Sequence, residues 1–265
     1  MAGTVLYECD GHVATITYNR PEVRNAINAE LRQDLNAAWE QFRDDEDAWV
    51  GIVTGAGQSF CTGADIKDAA GSAGTWPGSF WEIPTINSYE SGLEVWKPTI
   101  AAVNGNCLGY GLTLVTRCDF VIAADDARFG FPEVRLGVPT IVGALRLPER
   151  IGWANAMELL LTGDRVDATR AQDMGLAWKV VPRAELMAEA QRLADRLLQA
   201  APLAARATKE VAARGRYLSW VEAVRFGETM RRVAAGTEDA AEGWAAARER
   251  RPPQLAGPLI ATAQA

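Results

Sequence analysis

Apolar and polar positions alternate with period two over His12-Val-Ala-Thr-Ile-Thr-Tyr18, the pattern of a half-buried strand. Asn28 follows as a helix N-cap, and Leu31, Leu35, Ala38, Trp39 and Phe42 recur at helical spacing on one apolar face. Trp49-Val-Gly-Ile-Val-Thr54 and Thr99-Ile-Ala-Ala-Val103 are short apolar runs, which predicts strands covered on both sides. Residues 111–117 read as a helix and Asp119-Phe-Val-Ile-Ala123 as the strand after it. Strand–helix alternation to about residue 125 predicts an α/β domain. Beyond it the pattern is mostly helical to about Arg250, with one amphipathic helix marked by Leu186, Ala190, Leu193 and Leu197. The expected division is an α/β core over 1–195, a helical C-terminal region over 196–251 and a loose tail over 252–265, where Pro252, Pro253 and Pro258 stand.

At 265 residues, 48% of them apolar, the chain can bury a core that needs neither disulfide nor metal. Its 27 basic and 34 acidic side chains give a net charge of −7, which disfavours a nucleic-acid partner. The uncharged stretch Pro98 to Thr116 is long enough for a membrane span, but Asn104, Gly105, Asn106, Gly109 and Gly111 interrupt it and no aromatic belt flanks it. It reads as a strand, a turn and a helix start, so no membrane association is expected. Met1 to Asp10 lacks the pattern of a secretory signal. Cys9, Cys61, Cys107 and Cys118 show no C-x-x-C spacing and His12 is the only histidine, so no metal site is expected and the thiols suit the cytoplasm. A Ser-His or Cys-His hydrolase would have to recruit His12 from its strand pattern. Ala69 to Trp81, uncharged and rich in glycine and aromatics, reads either as a lid or pocket wall or as a surface loop.

Two glycine segments follow apolar strands. In the first, Gly55-Ala-Gly57 invites a dinucleotide-binding reading, but Phe60 stands where the third glycine belongs and no helix pattern starts there. The second, Asn104-Gly-Asn-Cys-Leu-Gly-Tyr-Gly-Leu-Thr113, runs from a strand end through glycines into a helix. Such a junction points backbone N–H groups and the positive end of a helix at an anion or oxyanion, or else serves close backbone packing.

Asn19-Arg-Pro-Glu-Val-Arg-Asn-Ala26, Ser59-Phe-Cys-Thr-Gly-Ala-Asp-Ile-Lys67, Asn104 to Thr113, Phe129-Gly-Phe-Pro-Glu-Val-Arg-Leu-Gly137 and Leu161-Thr-Gly-Asp164 resemble, in order and spacing, the crotonase (enoyl-CoA hydratase/isomerase) superfamily. Asp167 to Pro182 and Thr237 to Gly243 continue the likeness, which spans about residues 5 to 250. The resemblance implies a spiral core of ββα units, a helical C-terminal region that builds trimers or hexamers, and a coenzyme A thioester as substrate with no separate cofactor. It implies two backbone N–H donors to a thioester enolate, here Ala64 and Tyr110. It also implies that Ala64, Asp65, Ile66 and Lys67 hold the adenine end of the ligand, with Arg24 and Lys67 near its phosphates.

The chain departs from that pattern in three places. Gly109-Tyr110-Gly111 stands where relatives have three glycines, which puts a large side chain toward the acyl pocket or against a neighbouring helix. One of the two glutamates of typical hydratases matches Glu133, but the other position holds Thr113, and a hydroxyl cannot cycle a proton at neutral pH. Val138-Pro-Thr-Ile-Val-Gly143 replaces the usual proline and glycines, so acyl-chain specificity does not transfer. Glu133 is expected to move one proton, unless it is a helix-face or ion-pair residue, and Thr113 to orient water. Double-bond isomerisation or related one-base enolate chemistry is thereby favoured over two-glutamate hydration. The alternatives are an acyl-CoA or C–C bond hydrolase and a non-catalytic acyl-CoA-binding protein.

Overall fold

The computed structural model describes residues 3–69 and 88–257. The segment from residue 70 to Trp81, read as lid or loop, lies outside the described residues. The larger of two sheets takes its strands in chain order: β1 (Val5–Asp10), β2 (Val13–Tyr18), β3 (Val50–Gly55), β5 (Thr99–Val103), β7 (Phe120–Ala124) and β10 (Lys179–Val181). β1 and β2 form an antiparallel hairpin and every later pairing is parallel. The smaller sheet has the order β4 (Ser59–Cys61), β6 (Asn106–Leu108), β8 (Arg128–Gly130) and β9 (Arg165–Asp167). Successive pairs β3/β4, β5/β6 and β7/β8 therefore place one strand in each sheet, the ββ half of the expected ββα spiral.

The helices fill the faces and the C-terminal region. They are α1 (Ala29–Asp44), α2 (Ile66–Ala69), α3 (Tyr110–Val115), α4 (Val142–Ile151), α5 (Trp153–Thr162), α6 (Ala168–Asp173), α7 (Leu186–Leu197), α8 (Pro202–Gly215), α9 (Trp220–Ala235) and α10 (Glu238–Glu249). None among the described residues is long and apolar enough to cross a membrane. The side chain of Asn28 caps α1 by accepting from the Leu31 N–H, and the five apolar residues that marked this helix are all buried.

Burial on both faces explains the unbroken apolar runs of β3 and β5. Ile16, Val53, Ala101, Val103 and Val121 point to one face and pack with α1, Leu112, Phe129 and Phe131. Ile52, Ile100, Ala102 and Ile122 point to the other, where α7 covers them with Leu186, Ala190 and Leu193. The stretch read as strand, turn and helix start contains a further short strand, β6, before α3. Residues 252–257 carry no helix or strand, yet they are not loose. Gln254 N–H donates to Glu242 and Ala256 N–H to Asp239, each at 2.7 Å, and a Cβ built on Gly257 would stand 2.8 Å from the Trp49 ring. His12 stacks on Trp49 with ring centroids 3.9 Å apart and bonds the Asp47 carbonyl, so it makes no hydrolase triad.

Asn25 ties the segment before α1 to the turn after β3. It is fully buried at φ 57°, accepts from the Arg20 N–H and donates to the carbonyls of Ala56 and Ser59 at 3.0 and 2.8 Å. Asn25→Ala should cost about 2–4 kcal/mol of unfolding free energy, because it strands three backbone groups, one of them fully buried, and strains a positive φ. Urea titration of the variant against wild type measures this.

Candidate active site

Among the described residues, Ala64 and Tyr110 carry main-chain N–H groups that lack partners, in turns that abut. Ile27 and Ala64 form an isolated parallel bridge, in which Ile27 N–H donates to the Gly63 carbonyl and Asp65 N–H to the Ile27 carbonyl, both at 2.9 Å. That pattern uses the groups on either side of Ala64 and turns its own N–H away from Ile27. Among the described residues that N–H meets no acceptor.

The second group opens α3. Gly109 N–H donates to the Gly130 carbonyl and Gly109 sits at φ 54°, ψ −120°, a conformation glycine allows. The first amides of a helix have no partner within it. Gly111 N–H, at the second position, turns to the Cys61 sulfur, which also receives Gly63 N–H at 3.5 Å. Burial pushes the Cys61 thiol up to about 12, so it stays a neutral acceptor. Tyr110 N–H, at the first position, remains without an acceptor among the described residues. A Cβ on Gly63 would lie 3.7 Å from Tyr110 N, and one on Gly109 would lie 3.6 Å from Gly63 Cα, so the two turns touch.

Glu133 stands against the same turn. It belongs to a 3-10 turn over Pro132–Leu136, and its Oε1 would be 2.8 Å from a Cβ on Gly109. The carboxyl is half-buried, and Oε2 has no hydrogen-bond partner among the described residues. Burial pushes its pKa above the usual glutamate range, opposed in part by its own backbone N–H and by the Thr140 hydroxyl. Thr113, one turn into α3, is buried with its hydroxyl 3.0 Å from where a Cβ on Gly143 would sit. The Val138–Gly143 stretch thus contributes Thr140 and Gly143 to the site.

The sequence of residues 8–258 matches the family model described as enoyl-CoA hydratase/isomerase. The chain belongs to the enoyl-CoA hydratase/isomerase family. It is 40% identical over 253 residues to a probable enoyl-CoA hydratase of Mycobacterium tuberculosis, covering 95% of this chain and 97% of that protein. It is 36% identical over 255 residues to the (E)-benzylidenesuccinyl-CoA hydratase of Thauera aromatica, covering 96% and 99%. The crystal structure of enoyl-CoA hydratase from M. tuberculosis H37Rv superposes with a TM-score of 0.88 at 36% identity, covering 97% of this chain and all of that one. The protein is an acyl-CoA enzyme of the hydratase/isomerase family.

Seen as a family member, the chain gathers its expected site residues along two edges. Ala64, Tyr110, Thr113 and Glu133 meet around the first turn of α3. Arg24, Asp65, Ile66 and Lys67 lie on the other edge, where the Thr62 hydroxyl donates to the Arg24 carbonyl and Arg20 pairs with Asp65 at 3.4 Å. Ile66 is 71% exposed, and the charged ends of Arg24 and Lys67 are exposed without partners among the described residues. The Tyr110 side chain, expected at the acyl pocket or on a helix, lies beneath the Arg32 guanidinium of α1, 4.9 Å from its ring centre, and its hydroxyl donates to Glu90. Cys61, Glu90 and Thr140 were not singled out from sequence. Of these Cys61 and Thr140 had a signal, their places inside the Ser59–Lys67 block and the Val138–Gly143 stretch.

Because burial raises the Glu133 pKa in the fold, the folded state holds that proton more tightly than the unfolded chain does. Stability from this group is complete below the ordinary glutamate range and is lost as pH rises through the raised value. Glu133→Gln should therefore melt higher than wild type at neutral pH, with the gap closing in acid. Thermal unfolding across pH measures it.

Proposed function

We propose that this enzyme polarises the carbonyl of an acyl-CoA thioester between the N–H groups of Ala64 and Tyr110, and that Glu133 moves one proton. The observation that carries the reading is the pair of partnerless amides in touching turns, with a half-buried carboxyl against one of them. As the α-proton leaves, charge grows on the thioester oxygen, and donors already aimed at it need no reorganisation. Each such donor is worth about 3 kcal/mol. Burial makes Glu133 a better base than a solvated glutamate once it is ionised, and it can return the proton to another carbon of the enolate.

Thr113 offers no second proton-cycling group, so a shift of the double bond between 3-enoyl- and 2-enoyl-CoA, or another one-base enolate reaction, is the preferred chemistry. Hydration or dehydration is the second reading, favoured by the names of the two relatives, with the Thr113 hydroxyl orienting the water. Asp65 and Ile66 would hold the adenine end through their backbone, and the exposed cations of Arg24 and Lys67 suit the coenzyme's phosphates. Coenzyme A enters with the substrate, so the scheme calls for no separate cofactor. Exposed Trp220, Val221 and Val224 on α9 support the helical C-terminal region as the contact face of a trimer or hexamer.

Steady-state assays with matched 3-enoyl- and 2-enoyl-CoA substrates should show isomerisation outpacing hydration. Glu133→Gln should lower kcat for isomerisation by about 10²–10⁴-fold. Brisk wild-type hydration that survives Glu133→Gln would overturn the assignment.

A further inference from the structure

A cavity of about 1040 Å³ opens where the core meets the C-terminal helices. The turn from Thr116 to Phe120, which joins α3 to β7, lines it together with α4, the end of α7 and α8. None of Ala64, Tyr110 and Glu133 reaches it. The length of α3 lies between the two places, with Tyr110 at its head and Thr116 just past its last turn.

Five cations and two carboxylates line this cavity, in a chain whose net charge is −7. Both carboxylates are already engaged. Asp119 pairs with Lys209 at 2.7 Å and accepts from the N–H and hydroxyl of Thr99. Glu149 pairs with Arg216 at 3.0 Å and accepts from the Tyr217 phenol. The guanidiniums of Arg117, Arg146 and Arg150 are left without a carboxylate partner among the described residues. Arg150 is fixed by the carbonyls of Thr116 and Cys118, at 3.2 and 2.6 Å. Arg117 lies over the Tyr89 and Trp96 rings, 5.8 Å from each centre. Arg146 makes no hydrogen bond or ion pair among the described residues, and its Nη1 is buried.

All three side chains are half-buried, and burial holds Arg146 and Arg150 below the usual arginine range. Like charges that share one partly dry cavity repel each other and have lost water, and an anion among them offsets both costs. Guanidinium groups bind oxyanions through paired N–H donors, and three around one space match a ligand with more than one negative charge. Leu197, Ala205 and Ala212 supply apolar wall, and the volume suits a small organic molecule.

We propose that this cavity is a second ligand site, which holds a polyvalent anion, a phosphate ester or a polycarboxylate, between Arg117, Arg146 and Arg150. The site is independent of the acyl-CoA chemistry proposed above. Pyrophosphate and citrate are titrated calorimetrically into the full-length protein at low salt, with acetate as the monovalent control. One of the two polyvalent anions should bind at one site per chain, about tenfold or more tighter than acetate. Arg146→Gln and Arg117→Gln should each weaken that binding by about tenfold or more, whereas Lys67→Gln, at the expected coenzyme edge, should leave it unchanged. Melting curves give a second reading. Without anion, Arg146→Gln should melt no lower than wild type, because it removes an uncompensated charge; with anion, wild type should rise and the variant should not. No saturable binding of either anion, or binding lost in Lys67→Gln and kept in Arg146→Gln, would overturn the proposal. If the cavity instead seats a second copy of the chain, neither anion binds and Arg146→Glu lowers the oligomeric state in sedimentation, which refutes it as well.

Discussion

The isolated bridge between Ile27 and Ala64 is the contact on which the geometry of the site hangs. A single parallel pairing is too short to make a strand, but it fixes which amides are used and which are left. Ile27 takes the Gly63 carbonyl and the Asp65 N–H, and what remains is the N–H of Ala64 facing the other way. Glycines at 63 and 109 then let this turn and the head of α3 touch, because a side chain at either would intrude. Buried Asn25, two residues before Ile27, and Asn104, whose amide donates to the carbonyls of Gly55 and Gly57, brace the turn between β3 and β4. Rigid loops of this kind depend on side-chain bonds to backbone in place of sheet ladders.

The economy of α3 is similar. It is six residues long, has no side-chain cap, and leaves its first three amides without a partner inside the helix. One of them is spent on the Cys61 sulfur, which serves as an acceptor because burial keeps it protonated. Tyr110 is anchored by its ring and hydroxyl instead of being free like a glycine, so the unpaired N–H that opens α3 sits on a residue held at both ends. Thr113 and the tethered Tyr110, three residues apart, fall on one face of this helix.

Much of the larger sheet could be read from the chain. β2, β3, β5 and β7 show either alternation or apolar runs of five or six residues, and α1 carries both its cap and its stripe. The smaller sheet could not be read, because β4, β6, β8 and β9 have three residues each and sustain no period. Residues 252–257 read as loose because Pro252 and Pro253 open them, while their acceptors, Asp239 and Glu242, belong to α10. In the site, glycines marked where amides would be free, and a carboxylate after Pro132 marked Glu133. Glu90 gave no signal, since its meaning comes from Tyr110, twenty residues on.

The order of strands in the larger sheet carries a consequence for how the molecule is made. Each strand joins beside the one that emerged before it, from β1 to β10, and none is inserted between two already in place. A chain leaving the ribosome can therefore grow the sheet outward at a single edge, never reopening a finished seam. The longest wait is for the last addition, β10 beside β7.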